Sequence, residues 1–215
     1  FEYILKESGY KTIAFHGNEA DFWNREAAYP YQGIDKFYSM KDFKTKDPIG
    51  YGVNDKEFFK QSVNYLKQEK ELFYSFLVTL TSHHPFVIPE KYQKIRIKPE
   101  HKGTLFEDYI QSIHFTDEAL GELIEKLKAE GLYENSIITI YGDHIGIGNS
   151  KEEDKKIMSD FLGHEYGYED MFNIPFMIHI PGSNISETVS TIGDQLDYMP
   201  TMLNIMGLEN TKGYM

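Results

Sequence analysis

The chain contains no cysteine among its 215 residues, so disulfide bridges and thiolate metal sites are excluded. The missing cysteine does not settle the compartment, because exported bacterial proteins without cysteine are common. No run of about 18 apolar residues occurs, which leaves this chain no segment able to span a membrane as a helix. A signal peptide, internal repeats and low-complexity tracts are also missing.

Positive charge is scarce. The 22 lysines and arginines stand against 34 aspartates and glutamates, which gives a formal net charge of −12. Such acidity disfavours non-specific binding to nucleic acid or to an anionic bilayer, although it also serves solubility. Hydrophobic residues make up 40% of the chain and aromatic residues 15%. This composition predicts one folded domain with a substantial core and without nucleic acid as a partner.

The first residues of the chain continue a pattern rather than begin one. Phe1 is not a start methionine, and residues 1–6 resemble the middle of a helix that leads to Gly9. We therefore expect this chain to be an excised part of a longer protein.

Strand and helix patterns alternate along the sequence. Apolar runs predict strands at Lys11–Phe15, Leu72–Leu80, Ser136–Tyr141 and Ile174–Gly182. Apolar residues at helical spacing predict helices over Asp55–Glu71, Thr104–Glu130 and Ile192–Met206, and the aspartate at the start of the first is the predicted cap. The polar segment Lys151–Asp170 is expected to be a mobile excursion from the core. Strands separated by helices predict an α/β domain with a parallel or mixed sheet.

The segment Ser136–His144 is the most informative one. Its apolar, β-branched run indicates a buried parallel strand that is broken at Gly142. Asp143 and His144 follow the break, where ligands bind in open α/β sheets. A carboxylate and an imidazole are common metal ligands, but a hydrogen-bonded turn pair would have the same sequence. The pattern therefore leaves a metal site and a turn as alternatives.

Two further predicted strands end in histidines. His83 and His84 follow one of them, and each is either a general acid or phosphate donor or a surface residue at the strand end. His16 ends another, followed by Trp23 and Arg25. A guanidinium suits phosphate by charge and forked geometry, although Trp23 as a core anchor and Arg25 in a surface salt bridge are equally open. Convergence of these strand ends would make a site for metal and phosphate.

Several segments of the sequence, in order and over nearly its whole length, resemble the lipoteichoic acid synthase family. They are Ala14–Asn18 with Phe22–Arg25, Thr81–Phe86 and Tyr141–His144, while Ile174–Gly182 and Asp197–Leu203 resemble the wider sulfatase and alkaline phosphatase-like superfamily. The resemblance implies a sulfatase-like α/β fold with a mixed, mainly parallel sheet flanked by helices. It further implies that residues 1–215 are the C-terminal portion of an extracellular catalytic domain whose N-terminal part is missing here.

The activity that the resemblance implies is transfer of glycerol phosphate from phosphatidylglycerol to a lipoteichoic acid chain or glycolipid anchor. It places the parent protein in a Gram-positive cell membrane, anchored by transmembrane helices outside this chain, with release of the catalytic domain by proteolysis as an alternative. Asp143 and His144 are then metal ligands, with manganese preferred over magnesium or zinc. His16, Trp23, Arg25 and His83 line the glycerol phosphate pocket, and His83 is also the candidate catalytic acid.

One departure from the family pattern affects the expected activity. The family's threonine nucleophile and glutamate metal ligand lie upstream of the segment that matches His16, and none of the 15 residues preceding it matches. We therefore expect this chain to be inactive alone. Two other functions stay open, namely a sulfatase or phosphodiesterase of the same superfamily and a non-catalytic module that binds an anionic polymer or lipid headgroup. The segment Phe22–Arg25 favours the transferase.

Overall fold

Two sheets organise the fold in the computed structural model, which describes residues 1–70 and 72–213. The described strands are β1 (Lys11–His16), β2 (Lys36–Tyr38), β3 (Phe73–Val78), β4 (Ile138–Tyr141) and β5 (Phe176–His179). Strand β1 lies at the centre of a parallel sheet of order β2-β1-β3. Strands β4 and β5 form a separate antiparallel pair.

Helices connect and cover the strands. In the described part of the chain they are α1 (Glu2–Glu7), α2 (Arg25–Ala28), α3 (Asp55–Leu66), α4 (Leu105–Ala129), α5 (Glu152–Leu162), α6 (Tyr168–Met171) and α7 (Tyr198–Met206). Helix α3 begins after Asn54, whose side chain accepts from the N–H of Glu57. Helix α4 begins in the same way, because Thr104 accepts from the N–H of Glu107. Both starts are side-chain caps of the common type.

The two long helices pack over one face of the parallel sheet. Their shared core consists of buried side chains from β1, β2, α3, α4 and the loops between them: Ile13, Phe15, Tyr38, Phe43, Val53, Phe58, Phe59, Leu66 and Ala119. The next residue of β1, Ala14, faces the other side and packs with Tyr29 and Ile34. Alternate residues of β1 therefore bury both faces, which fixes the position of the strand's carboxyl end.

The predicted α/β class is confirmed, and α1 ends before Gly9 as the sequence predicted. The helix predicted from Asp55 ends at Leu66, and its cap is Asn54 rather than an aspartate. The predicted end of that helix, Glu71, lies outside the described residues. The final helix, predicted from Ile192, begins only at Tyr198, after a short 3-10 turn.

The prediction that the strand before Asp143 is buried and parallel was wrong. Strand β4 pairs antiparallel with β5, with Ile138 opposite His179 and Tyr141 opposite Phe176. None of its residues is fully buried. A β-branched run predicts a strand from its local preference, but the direction of its partner is set by the tertiary fold.

The segment predicted to be a mobile excursion, residues 151–170, is instead largely helical. It forms α5 and the start of α6, and Ile157 and Met158 of α5 pack against the buried cluster of Phe86, Phe106 and Ile147. Three acidic residues in the first turn of α5 suit the positive end of the helix dipole. The segment is polar because most of this helix faces solvent, which the composition alone did not distinguish from a loop.

None of the helices over residues 1–70 and 72–213 is long and apolar enough to cross a bilayer.

Candidate active site

The carboxyl ends of β1 and β3 lie side by side, because the strands are parallel and His16 is paired with Val78. The chain makes a close approach just beyond them. The N–H of Val53 donates to the carbonyl oxygen of Gly17 at 3.0 Å. A Cβ atom on Gly52 would lie 2.1 Å from that carbonyl oxygen, so only glycine fits there. The segment before α3 is thereby held against the end of β1.

His83 lies in the turn after β3. Its Nδ1 lies 2.8 Å from the carbonyl oxygen of His84, so Nδ1 carries the proton and donates it, and Nε2 is left for other partners. The ring centroid of His83 lies 5.2 Å from that of Tyr51 and 5.5 Å from that of His144, edge to face in both cases. The loop after β3 and the loop after β4 therefore meet, as the sequence predicted, although the two strands belong to different sheets.

Asp143 and His144 lie on an exposed loop. Nδ1 of His144 lies 2.8 Å from the carbonyl oxygen of Ile145, which leaves its Nε2 free of backbone contacts. That Nε2 lies 3.5 Å from a carboxylate oxygen of Asp143. The side chain of Gln195 donates to the carbonyl oxygens of Gly142 and Asp143. Gln195 thus holds the loop backbone in place, while the side chains of Asp143 and His144 face outward.

The chemistry of Asp143 and His144 fits a divalent cation. A carboxylate and an imidazole whose second nitrogen is held by a carbonyl oxygen are a common ligand pair. The residues that the structure describes contain no group of three or more histidines, aspartates and glutamates placed to hold a metal ion. Within the described structure, the chain therefore has two side chains on one loop that could hold a metal ion, short of a closed coordination shell.

His16 is a buried imidazole, 1% exposed, at the end of β1. Its ring stacks on Phe22 with centroids 5.9 Å apart, and in the described structure neither ring nitrogen has a hydrogen-bond partner. Burial, and secondly the charge of Arg25, lower the pKa of His16 to about 4. Buried polar atoms without hydrogen-bond partners are uncommon, and they indicate that the partner is a ligand or another segment of the protein.

This burial predicts an acid-sensitive stability. In the unfolded chain His16 is protonated below about pH 6.5, whereas in the folded protein it is protonated only below about pH 4. The free energy of unfolding should therefore fall as the pH drops from 6.5 to 4, by about 3 kcal/mol from this group. Urea unfolding across this range should show a shallower pH dependence in His16→Asn. The exposed His84→Asn should keep the wild-type slope, and an unchanged slope in His16→Asn would contradict the assignment.

Trp23 and Arg25 follow His16 on a strained turn. Trp23 and Asn24 have φ of 57° and 58°, a left-handed conformation that costs energy outside glycine and often marks functional sites. The alternative of Trp23 as a core anchor is wrong, because its side chain is 80% exposed. Arg25 donates from Nη1 to the hydroxyl of Tyr29 at 2.9 Å, and its Nε is buried without a partner in the described structure.

Arg25 does not form the surface salt bridge that was its alternative role. The ion pairs of the described residues do not include it. The charge of Arg25 nevertheless acts on His16, because it contributes to lowering the pKa of that imidazole. A partly buried guanidinium without a carboxylate partner is available to an anion.

The sequence missed two aromatic residues at this site. Tyr51, 46% exposed, contacts the ring of His83, and Phe22 packs on His16. The flanking glycines of Tyr51 were the only local signal for a turn that brings it there. The hydroxyl of Thr12 in β1 donates to the carbonyl oxygen of Gly33, in the turn before β2, rather than to a group of this site. The ring of His84 packs edge to face on that of Phe86.

Similarity to known proteins shows the family of this chain. The family described as Sulfatase matches residues 2–208. The chain belongs to the sulfatase family. The resemblance to lipoteichoic acid synthases that the motifs predicted is also confirmed. The chain is 41% identical over 97% of its length to lipoteichoic acid synthase-like YvgJ of Bacillus subtilis (strain 168). It is 40% identical over 98% of its length to a lipoteichoic acid synthase of Staphylococcus aureus (strain USA300).

A solved structure supports the sulfatase-family fold. The lipoteichoic acid synthase LtaP from Listeria monocytogenes superposes with a TM-score of 0.88 at 33% identity, over 98% of this chain and 53% of that one. The chain spans about a third of the length of the curated relatives it matches, 34% of the Bacillus protein and 32% of the Staphylococcus protein. The likeness therefore covers one part of these larger proteins.

Proposed function

We propose that this chain contributes part of the active site of an enzyme that transfers glycerol phosphate from phosphatidylglycerol to a lipoteichoic acid chain or glycolipid anchor. What supports this most is the juxtaposition at the strand ends. His83 contacts His144 there, and both ring nitrogens of His16 and the Nε of Arg25 are buried without a partner in the described structure. Cationic and N–H-bearing groups beside a metal-ligand pair are what a transferring phosphoryl group requires.

We also propose that residues 1–215 are the C-terminal portion of the catalytic domain. Large apolar side chains of β5 and of the segment before α7 are exposed: Phe176, Met177, Ile185, Val189, Ile192 and Leu196. A stable monomer rarely leaves so many apolar groups in water. Since the matched region is 53% of the Listeria chain, the other part of such a domain is the natural cover for this surface.

Each site residue has a definite task in this proposal. Asp143 and His144 would hold a divalent cation, with manganese preferred and magnesium or zinc as alternatives, and the cation would stabilise negative charge on the phosphoryl group. Arg25 would bind the phosphate oxygens. His83, which keeps a proton on Nδ1, would take a second proton on Nε2 and deliver it to the leaving diacylglycerol oxygen.

Trp23 and His16 complete the proposed glycerol phosphate pocket. The exposed indole of Trp23 has an N–H to donate, and the buried ring of His16 stays neutral at pH 7 because its pKa is about 4. His16 therefore offers one N–H donor and one acceptor rather than a charge. The nucleophile and the remaining metal ligands would come from outside this chain, at the outer face of a Gram-positive cell membrane.

The direct test is an assay of the full-length protein in vesicles of phosphatidylglycerol with Mn²⁺. We expect diacylglycerol release together with growth of a glycerol phosphate polymer, and no turnover by residues 1–215 alone. Free glycerol phosphate without polymer, or hydrolysis of a soluble sulfate ester, would point to the phosphodiesterase or sulfatase alternative. Metal-independent binding of glycerol phosphate without turnover would point to the binding module.

A further inference from the structure

We propose that Asp55 is a positioning residue for His83, which it holds through the backbone of Leu80 and Thr81. That His83 is a catalytic group rests on the proposed function. The hydrogen bonds that the Asp55 carboxylate accepts from Leu80 and Thr81, called the clamp below, do not rest on it. Asp55 lies in the first turn of α3 and is 0% exposed. It belongs to none of the motifs that resemble the synthase family.

The carboxylate of Asp55 ties three elements together. Its Oδ1 accepts from the N–H groups of Leu80 at 3.1 Å and Thr81 at 3.2 Å, directly after β3. Its Oδ2 accepts from the hydroxyl of Thr116 on α4 at 2.9 Å. In return, the N–H of Asp55 donates to the hydroxyl oxygen of Thr81 at 3.0 Å. The start of α3, the end of β3 and the middle of α4 therefore meet at one buried side chain.

Local structure alone does not require an acid at this position. Asn54 already caps α3, so the helix start is satisfied without Asp55. Burial raises the pKa of Asp55 against the opposing effect of its hydrogen bonds, which shows that the buried carboxylate is costly. An apolar side chain here would leave the N–H groups of Leu80 and Thr81 and the hydroxyl of Thr116 without their acceptor. The carboxylate is therefore explained by the segments that it holds together, the turn before His83 among them.

The clamp reaches His83 through one further bond. The N–H of His83 donates to the carbonyl oxygen of Leu80 at 3.1 Å, so Leu80 is held by Asp55 at its nitrogen and holds His83 at its oxygen. The residues just before Asp55 act on the same site, since Tyr51 contacts the ring of His83 and Val53 is bonded to Gly17. Segment 51–55 therefore contacts both the end of β1, which carries His16, and the turn after β3, which carries His83.

The first test compares Asp55→Asn with Asp35→Asn in the full-length protein. Asp35 is the control, because its carboxylate accepts from the N–H of Thr12 near the opposite end of β1 and pairs with Lys6 at the surface. Both variants should melt at lower temperature. Well below their melting temperatures, only Asp55→Asn should lower kcat, by about 100-fold, since misplacing a reacting group by roughly 1 Å has that effect. KM should change little. Equal kcat in both variants would overturn the positioning role.

A second pair covers the case in which Asp55→Asn does not fold. Thr81→Val removes the hydroxyl that accepts from Asp55, whereas Thr81→Ser keeps it. We expect kcat to fall in Thr81→Val and to be restored in Thr81→Ser. Indistinguishable kcat values in the two variants would count against the clamp.

Hydrogen–deuterium exchange separates the clamp from the proposed function. Amides in a peptide covering residues 79–86 should exchange faster in Asp55→Asn, or in Thr81→Val, and at the wild-type rate in Asp35→Asn. If the wild-type protein transfers no glycerol phosphate, the proposed function fails, but faster exchange would still support the clamp. Unchanged exchange would overturn it whatever the activity.

Discussion

We expect the Asp143→Ala variant of the full-length protein to lose manganese binding and glycerol phosphate transfer together. Asp143 lies on a loop braced by Gln195, beside His144, and its side chain is 73% exposed. A carboxylate so exposed contributes little to folding, so its removal should leave the melting temperature nearly unchanged. Loss of a direct ligand should lower the affinity for the metal ion by more than the roughly 10- to 100-fold that is typical when a residue behind a ligand is mutated.

Calorimetry with Mn²⁺ measures this directly. Asp160→Ala is the matched control, because Asp160 is an exposed aspartate on α5 and belongs to none of the segments that form the candidate site. We expect tight binding by a chain extended upstream by a half-domain and weak binding by residues 1–215, which offer two ligands. If Asp143→Ala binds Mn²⁺ as tightly as the wild type, the ligand assignment is wrong and the binding-module alternative gains.

The parts of the fold that the sequence predicted are those decided by local interactions. Helix α4 was predicted from Thr104 to Glu130 and runs from Leu105 to Ala129, because the Thr104 cap and the apolar spacing both act within the helix. Strand β2, with three residues, was missed, since so short a run has no recognisable period. The pairing of β4 was missed as well, because its partner β5 lies 35 residues further along the chain.

The candidate site shows the same division. His16 and His83 were placed correctly at one edge of the sheet, because the carboxyl ends of neighbouring parallel strands must meet. Asp55 was interpreted only as a helix cap, and its role as an acceptor for Leu80 and Thr81 depends on packing between distant segments. The exposure of Trp23 could not be predicted from the sequence either, since a single tryptophan is found both in cores and at surfaces.

Substitution of Arg25 is expected to have the second large effect. A guanidinium that binds a transferring phosphoryl group commonly accounts for about 10³-fold or more in rate, so Arg25→Gln should lower kcat by at least that order. Arg25→Lys keeps the charge but loses the planar fork and the bond from Nη1 to Tyr29, so we expect a loss of roughly 10²-fold. The transfer assay measures both variants.

The other arginine of the chain, Arg96, supplies the control. Arg96→Lys should keep wild-type kcat, because Arg96 is exposed on the loop before α4 and outside the site. Arg25→Gln should in addition raise the pKa of His16, since the charge of Arg25 helps to lower it. Wild-type transfer by Arg25→Lys would show that charge alone suffices there. If Arg25→Gln also kept wild-type transfer, the phosphate would have to be bound by groups outside this strand edge, because His16 is neutral and cannot replace the lost charge.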